Sequence, residues 1–228
     1  VLIFSYTDEI GARTGWHKYE FFVFLATSLF INSLVQAFFM PNAEEFSELI
    51  RSGRLDFALL KPIDTQFLIS LQKVDWSSLS NFFFAAGLLA YALARLEHAP
   101  SLPQVLLYPV YLVCGVAILY SLMITLAATS VWLGQNQTLY DFWFYITNFS
   151  RYPREIYTGR FGTPLNWLFT WLVPVLVVVN VPASLMAKPL AYQHWPLVAF
   201  ALAAAVGSLV VSRWVFRRAL GAYRSASS

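Results

Sequence analysis

Charged residues and cysteine are both scarce in this sequence, and each scarcity excludes a class of protein. Only 12% of the 228 residues are Asp, Glu, Lys or Arg, about half of the ~25% that is typical of soluble domains. We therefore do not expect a water-soluble domain. The single cysteine, Cys114, cannot form a disulfide within the chain. The net charge of +3 is small and forms no basic patch, so nothing indicates a nucleic-acid partner.

Motifs that would indicate catalysis are also missing. The sequence contains no Gly-x-x-x-x-Gly-Lys-Ser/Thr loop for binding nucleotide phosphates and no Gly-x-Ser-x-Gly nucleophile turn. The three histidines, His17, His98 and His194, are far apart and do not have the spacing of metal ligands. We interpret them as packing residues near the ends of membrane spans. The sequence thus predicts no catalytic residue, no metal site and no cofactor.

Apolar residues make up 58% of the sequence. They form long runs, and a helix of ~20 apolar residues is enough to cross the ~30 Å hydrocarbon core of a membrane. We predict an all-α fold: a polytopic transmembrane helical bundle with a short cytoplasmic amphipathic coupling helix, as a single domain over residues 1–228. The expected spans are about 19–40, 76–94, 104–133, 165–185 and 195–216.

Two of these spans are irregular. A helix over residues 104–133 would be ~45 Å long, so it must tilt, kink at Pro109 or project from the membrane. Residues 165–185 contain Pro174 and Pro182. They fit either a kinked span or a hairpin that enters and leaves the membrane on one side. If they form a hairpin, residues 138–152 would cross instead.

Residues 41–75 are the main charged segment, and residues 42–53 within it carry the signals of a short amphipathic helix. Asn42 is a favourable N-cap, with Glu45 three residues later as in a capping box. Gly53 is placed to end the helix in a left-handed conformation. One face of the helix is apolar and consists of Phe46, Leu49 and Ile50. We expect this helix to lie at the membrane surface.

Lysine and arginine mark the expected cytoplasmic side, because cytoplasmic segments of membrane proteins are enriched in them. The 41–75 segment and the C-terminal tail each contain four of these residues, whereas the turns at 95–103 and 186–194 contain one each. We predict that the 41–75 segment and the C-terminus face the cytoplasm and that Pro100 faces the outside.

Polar residues recur at four-residue spacing in two predicted spans, so they form stripes along one helix face. Such stripes either make hydrogen bonds between helices or line a substrate path, and both interpretations stay open. The residues are Ser28, Asn32 and Gln36 in one span and Ser121, Thr125 and Thr129 in another. A separate charged cluster, Arg151, Arg154 and Glu155, would be either an interfacial anchor or a charged lip that helps to select the substrate.

Several stretches resemble one protein family. Residues 50–62, with the pattern Ile-Arg-x-Gly-Arg-Leu-Asp-x-x-Leu-Leu-Lys-Pro, resemble the signature loop of ABC-2-type permeases, the membrane subunits of bacterial ABC exporters. Residues 15–20, Gly-Trp-His-Lys-Tyr-Glu, resemble the start of a span in that family, although Arg13 and Thr14 stand where a second glycine is expected nearby. Other matching stretches, at 67–70, 150–157 and 223–228, extend the resemblance over nearly the whole chain.

The resemblance implies a role for the charged segment. In this family the corresponding loop contains the coupling helix, which docks on a separate ATPase subunit, so this chain would not itself hydrolyse ATP. The residues expected at the contact are Glu45, Phe46, Glu48, Leu49, Ile50, Arg51, Gly53, Arg54 and Asp56. The apolar face of the helix would anchor in a groove of the ATPase, or else it would only hold the helix on the lipid surface.

The resemblance also implies a multi-pass protein of the bacterial inner membrane that exports an unidentified substrate. Its partners would be the separate ATPase and a second permease copy or a related permease subunit, with the pathway between the two permeases. The family has a span before the position of Val1, so we expect this sequence to lack the first transmembrane helix.

Two other functions stay open from the residues alone. A lipid-modifying membrane enzyme would need paired polar or ionisable groups at one membrane depth, and the sequence shows no convincing set. A membrane scaffold could use the same charged helix as a docking site without transporting anything. Co-purification of an ATPase, and stimulation of its turnover by this protein, would distinguish the three functions.

Overall fold

The computed structural model describes residues 15–133, 144–145 and 148–223, which are mostly helical and contain no β-strand. The all-α prediction is confirmed. The helices are α1 (Lys18–Phe38), α2 (Met40–Arg51), α3 (Leu55–Leu59), α4 (Thr65–Ser70), α5 (Ser80–Leu93), α6 (Leu102–Leu133), α7 (Gly159–Trp167), α8 (Val175–Ala187) and α9 (Trp195–Ala222). A π-helical turn, Leu168–Leu172, continues α7.

Within the described residues, three helices are long and apolar enough to cross a membrane: Lys18–Ile50, which joins α1 and α2, Leu102–Trp132 and Trp195–Ala222. They correspond to three of the predicted spans. The predicted span 76–94 contains α5, which is apolar but has only 14 residues. It is shorter than expected because the chain before it forms tight turns, such as the hydrogen bond from Leu79 N–H to the oxygen of Trp76 at 3.3 Å.

Helix α6 is the centre of the bundle and packs against α9, α8 and α2, while α1 packs against α5 and α8. It runs unbroken for 32 residues with Pro109 inside it, because one missing main-chain donor does not end so long a helix. A glycine lets α1 and α8 approach it. A Cβ atom at Gly115 would lie 2.9 Å from both the main-chain oxygen of Val178 and Cδ1 of Ile31, so any larger residue would push the helices apart.

Different side-chain contacts mark the two ends of the bundle. At one, which we call the Trp16 end, the side chain of Gln104 donates to the main-chain oxygens of Leu185 (2.7 Å) and Lys188 (2.8 Å). At the other, which we call the Asn42 end, Phe46 of α2 packs against Phe216 of α9. The charged segment and the C-terminal part of α9 therefore lie at the same end, as the distribution of basic residues predicts.

The segment predicted as the span 165–185 is sharply bent. Helix α7 with its π turn, Gly159–Leu172, meets α8 at an angle of 84°. Pro174 immediately precedes α8 and has no main-chain N–H with which to continue the preceding helix. The bend lies beside the middle of α6, since Leu172 and Val175 line a cavity together with Ile118 and Ser121.

Trp16 contacts the chain on both sides of this bend. Its indole N–H donates to the Glu155 carboxylate at 3.1 Å, and Nζ of Lys188 lies 4.3 Å from the centre of its ring. The chain therefore enters and leaves the bent segment at the Trp16 end of the bundle. A single straight crossing would have put Glu155 and Lys188 at opposite ends.

Candidate functional site

Pro41 creates an attachment point where α1 passes into α2. Because Pro41 has no main-chain N–H, the oxygen of Ala37, four residues earlier, lacks its helical donor. The main-chain N–H of Asp75 donates to that oxygen instead, at 2.8 Å. The helix otherwise continues, since Ala43 N–H donates to the oxygen of Phe39 at 3.0 Å. The helix therefore continues beyond the predicted span of 19–40, and Pro41 marks the place where residues 73–75 of the charged segment are held.

Asn42 binds the main chain of Lys73, close to Asp75, and it is not the N-cap of α2. Its buried side chain accepts a hydrogen bond from Lys73 N–H and donates one to the oxygen of Lys73, both at 2.8 Å. It also donates to the oxygen of Phe38 at 2.6 Å. The N-cap prediction is wrong because α2 begins two residues earlier, after Phe39. Glu45, the predicted capping-box partner, binds Nζ of Lys73 at 2.8 Å.

The predicted end of this helix is confirmed. Ser52 N–H donates to the oxygen of Glu48 at 2.9 Å, and Gly53 N–H donates to the oxygen of Ile50 at 3.2 Å. Gly53 has a φ of 70°, in the left-handed region that glycine adopts without steric cost. This turn directs the chain into α3.

The apolar face of α2 is covered by the protein itself. Phe46 is fully buried, with its ring centre 5.3 Å from that of Phe216, and Leu49 and Ile50 are half-buried against the same core. Phe46 therefore cannot anchor in a partner's groove or on lipid, and Leu49 and Ile50 keep only part of their surface for such a contact. The predicted anchor face is corrected for Phe46, because the core of the protein itself, including Phe216 of α9, already covers it.

Exposed apolar side chains at the Asn42 end lie on α3, on the turn that follows it and at the start of α4. The side chains of Leu55 and Ala58 on α3 are buried in the core. Five large apolar side chains stay exposed: Phe57, Leu59, Leu60, Ile63 and Phe67. We call these five the apolar ridge. Arg54 beside it is exposed and Asp56 is half-buried, while the side chain of Arg51 lies outside the described part of the structure. Sequence reasoning missed the ridge, although the large apolar residues interleaved with charged ones between Asp56 and Asp64 carried a signal for it.

An ion pair between Asp64 and Arg213 joins the charged segment to α9. Nη1 of Arg213 donates to Oδ1 of Asp64 at 2.8 Å, Nη2 donates to Oδ2, and Nη1 also donates to Oε1 of Gln66 at 3.0 Å. The Arg213 guanidinium, together with the main-chain N–H of Phe67, lowers the pKa of the Asp64 carboxyl to about 2. Both side chains are partly exposed, so the pair stabilises the fold by ~1 kcal/mol at most.

Tyr120 extends this network to α6. Its hydroxyl accepts a hydrogen bond from Nε2 of Gln66 at 3.1 Å and lies 2.8 Å from the hydroxyl of Ser70. Helix α4 is thus fastened both to α6 and to α9, the two longest helices of the described chain.

Only part of one polar stripe lines the cavity beside the bend, and the stripe that starts at Ser28 lies elsewhere on α1. Asn32 donates to the main-chain oxygen of Ser28, 2.8 Å away in the same helix, and Gln36 is exposed. Ser121 and Thr125 line a cavity between α6, the π turn and α9. Thr129 does not line it and donates to the oxygen of Leu126 at 2.6 Å.

A polar cavity of about 580 Å³ lies at the Trp16 end. Arg154 and Glu155 line it, with Nε of Arg154 3.4 Å from Oε1 of Glu155. Arg151, the third member of the predicted cluster, lies instead over the ring of Phe144. The three histidines, far apart in the sequence, also line this cavity, and their sequence positions gave no signal of it. Among the described residues, no group of three or more His, Cys, Asp or Glu side chains could hold a metal ion.

Comparison with known families decides the assignment that this geometry suggests. The family model described as ABC-2 family transporter protein matches residues 1–227. The chain belongs to the ABC-2 transporter family. A search of curated proteins and a search of solved structures found no match. This ABC-2 protein is thus a multi-pass membrane protein and a permease, the membrane component of an ABC transporter rather than its catalytic component.

Proposed function

We propose that this ABC-2 permease is the transmembrane subunit of an exporter in the bacterial inner membrane. ATP hydrolysis takes place in a separate ATPase subunit, and a second permease copy or a related permease completes the pathway for an unidentified substrate. The observation that carries the proposal is the Asn42 end, where the charged segment is fastened to α1, α6 and α9 and presents the exposed apolar ridge.

We assign the ATPase contact to the apolar ridge and the polar residues around it. Large apolar side chains that stay exposed together mark an interaction surface. Charged residues at Arg54, Asp56, Lys61 and Asp64 alternate with them, which is the polar rim of a protein interface rather than a lipid-facing surface. Of the residues that the sequence predicts at this contact, Gly53, Arg54 and Asp56 lie within four residues of the start of the ridge at Phe57. Glu45 and Phe46 instead hold the segment to the bundle.

The attachments of the charged segment favour a mechanical role for it. A force on the ridge reaches α1 through the Asp75–Ala37 and Asn42–Lys73 hydrogen bonds, and it reaches α9 through the Asp64–Arg213 ion pair. Docking and release of the ATPase would therefore move several spans together, as alternation between two open states requires.

We propose that the Asn42 end faces the cytoplasm and that residues 159–187 form a re-entrant hairpin from the outside. Contacts of Trp16 with Glu155 and Lys188, on both sides of the 84° bend, support the hairpin. With α6 ending on the cytoplasmic side, we expect a further crossing before Arg154. Residues 138–152, the candidate that the sequence offers, lie mostly outside the described part of the structure.

We assign the polar cavity at the Trp16 end to the outer mouth of the pathway, with Arg154 and Glu155 as its charged lip. The stripes that start at Ser28 and Ser121 remain candidates for pathway lining. They lie on different helices, α1 and α6, and we place the pathway between this chain and the second permease copy.

The ATPase contact can be tested with two aspartate substitutions at equally exposed positions. Leu60, in the ridge, is 81% exposed, and Tyr192, at the Trp16 end, is 77% exposed. We expect Leu60→Asp to reduce the ATPase that co-purifies with the tagged permease from its native membranes by at least ~10-fold, since a buried unpaired charge at an interface costs more than the ~1.4 kcal/mol that this factor represents. Tyr192→Asp should leave the yield unchanged.

The outcome also separates the other functions. Recovery of the ATPase at wild-type level with Leu60→Asp would show that the ridge is not the contact. Binding of an ATPase whose turnover the reconstituted permease does not change would favour a scaffold. Absence of any co-purifying ATPase would return a lipid-modifying enzyme to consideration.

A further inference from the structure

We propose that the cavity between α6, the π turn and α9 holds one hydrocarbon chain of a membrane phospholipid. This inference concerns a different surface from the ATPase contact and does not depend on it. The cavity has a volume of about 330 Å³, which is within the lower part of the range of ligand sites.

The cavity exists because two features leave space beside α6. The 84° bend between the π turn and α8 carries Trp171 and Leu172 outward. On the opposite wall, α9 presents Ala204 and Gly207, and a Cβ atom at Gly207 would meet no atom within 4 Å. No side chain among the described residues fills the space.

The chemistry of the lining excludes a polar occupant. Apart from three hydroxyls and the indole N–H of Trp171, the lining side chains are apolar. Thr125 donates to the oxygen of Ser121 at 2.7 Å and Ser208 to that of Ala205 at 3.0 Å, so both hydroxyls are used within their own helices. The Ser121 hydroxyl is buried without a partner among the described residues. A buried water needs two to four polar partners, and an ion or a headgroup needs more.

The mouth of the cavity opens on an apolar surface. Leu172 and Val211 at the rim are exposed, and α9 continues outward with exposed Val206 and Val210. On a helix that crosses a membrane, such a surface faces lipid chains. A neighbouring acyl chain can enter the cavity without leaving hydrocarbon and without bringing its headgroup along. A phospholipid chain is therefore the occupant that matches both the lining and the position.

Photolabelling can test this with the full chain in nanodiscs that contain a phospholipid with a diazirine on one acyl chain. After illumination, peptide mass spectrometry should find adducts at Leu122, a half-buried lining residue. Val211→Trp, at the rim, should reduce labelling of Leu122 at least several-fold. Val210→Trp is the matched control, since Val210 is 63% exposed and Val211 56%, and only Val211 lines the cavity.

A second pair of variants keeps the test decisive if Val211→Trp fails to fold. Gly207→Leu should block the cavity, whereas Gly87→Leu places the same side chain in equally open space on α5. Labelling of Leu122 that is unchanged by both Val211→Trp and Gly207→Leu would overturn the proposal. So would a disulfide between two Gly207→Cys copies in a Cys114→Ser background, because a second protein chain would then cover the mouth.

Discussion

The main-chain N–H of Asp75 donates to the oxygen of Ala37 at 2.8 Å, and this is the oxygen that Pro41 deprives of its helical donor. Proline thus provides an acceptor for a distant part of the chain without ending the helix. Asn42, the next residue, adds two hydrogen bonds to Lys73. Together these contacts fix residues 73–75, at the end of the charged segment, against α1 and α2.

Replacing the proline should loosen that attachment. In Pro41→Ala the new N–H competes for the oxygen of Ala37, so the Asp75 amide should exchange with deuterium roughly 3- to 10-fold faster, as expected for the loss of a bond that contributes ~1 kcal/mol. Pro109→Ala, at the helical proline of α6, is the control and should leave this amide unchanged. Equal exchange in Pro41→Ala and the parent protein would contradict the explanation that Pro41 leaves the oxygen of Ala37 available to Asp75.

Asn42→Ala should destabilise the protein by ~1–3 kcal/mol, because it leaves the main-chain groups of Lys73 without their partner. Asn32→Ala is a matched control, since the side chain of Asn32 bonds to Ser28 of its own helix, and its loss should cost less than ~1 kcal/mol. Chemical denaturation in detergent measures both free energies of unfolding. Similar losses for the two variants would mean that the Lys73 contact is unimportant.

The Asp64–Arg213 pair should persist to unusually low pH. The pKa of Asp64 falls from its ordinary 3.8 to about 2, so the stability that the pair contributes is fully present above pH ~4 and is lost as the pH falls through ~2. A double-mutant cycle of Asp64→Asn with Arg213→Gln should give a coupling energy of ~0.2–1 kcal/mol, equal at pH 7 and pH 4.5. Arg217→Gln, one turn further along α9, should show no coupling to Asp64. Disappearance of the coupling already at pH 4.5 would contradict the lowered pKa.

Gly53→Val should cost ~1–2 kcal/mol of folding stability, since a side chain with a Cβ resists the left-handed conformation that Gly53 adopts at a φ of 70°. Gly87→Val is the comparison, because Gly87 lies within α5 with open space around it and valine is the better helix former. If thermal unfolding shows the same effect for both, the glycine at the end of α2 has no special conformational role.

Cysteine labelling can test the hairpin in a Cys114→Ser background. Thr163 on α7 is exposed, and Thr163→Cys should react with a membrane-impermeant reagent from the same side as Pro100→Cys. Ser52→Cys should react only from the opposite side. Labelling of Thr163→Cys from the Ser52 side would show that residues 159–187 cross the membrane once.

Elements that depend on hydrophobic length could be predicted from the sequence. The long helices α6 and α9 appear close to their expected bounds, because burial of twenty or more apolar residues leaves few alternatives. Gly53 was also predictable, since the residue type itself indicates the backbone conformation. The distribution of basic residues also predicted that the charged segment and the C-terminal part of α9 lie at one end.

Features that depend on packing between distant segments could not be predicted. The amphipathic pattern of Phe46 correctly marked an apolar face, but it did not reveal that Phe216 covers it. Asn42 had the residue type of an N-cap and no sign of Lys73, 31 residues away. The three histidines share a cavity only because the bend beside Pro174 returns the chain to the Trp16 end.

Helices α1 and α2 form a nearly continuous rod of 33 residues, Lys18–Ile50, about 50 Å long at 1.5 Å per residue. A rod of this length behaves as a lever. A tilt imposed near Ile50 is transmitted to the far end by the helix itself, without any chain of side-chain rearrangements between them. Because Trp16 stands at that far end and touches both Glu155 and Lys188, we expect the bent segment to move whenever the charged segment is pushed.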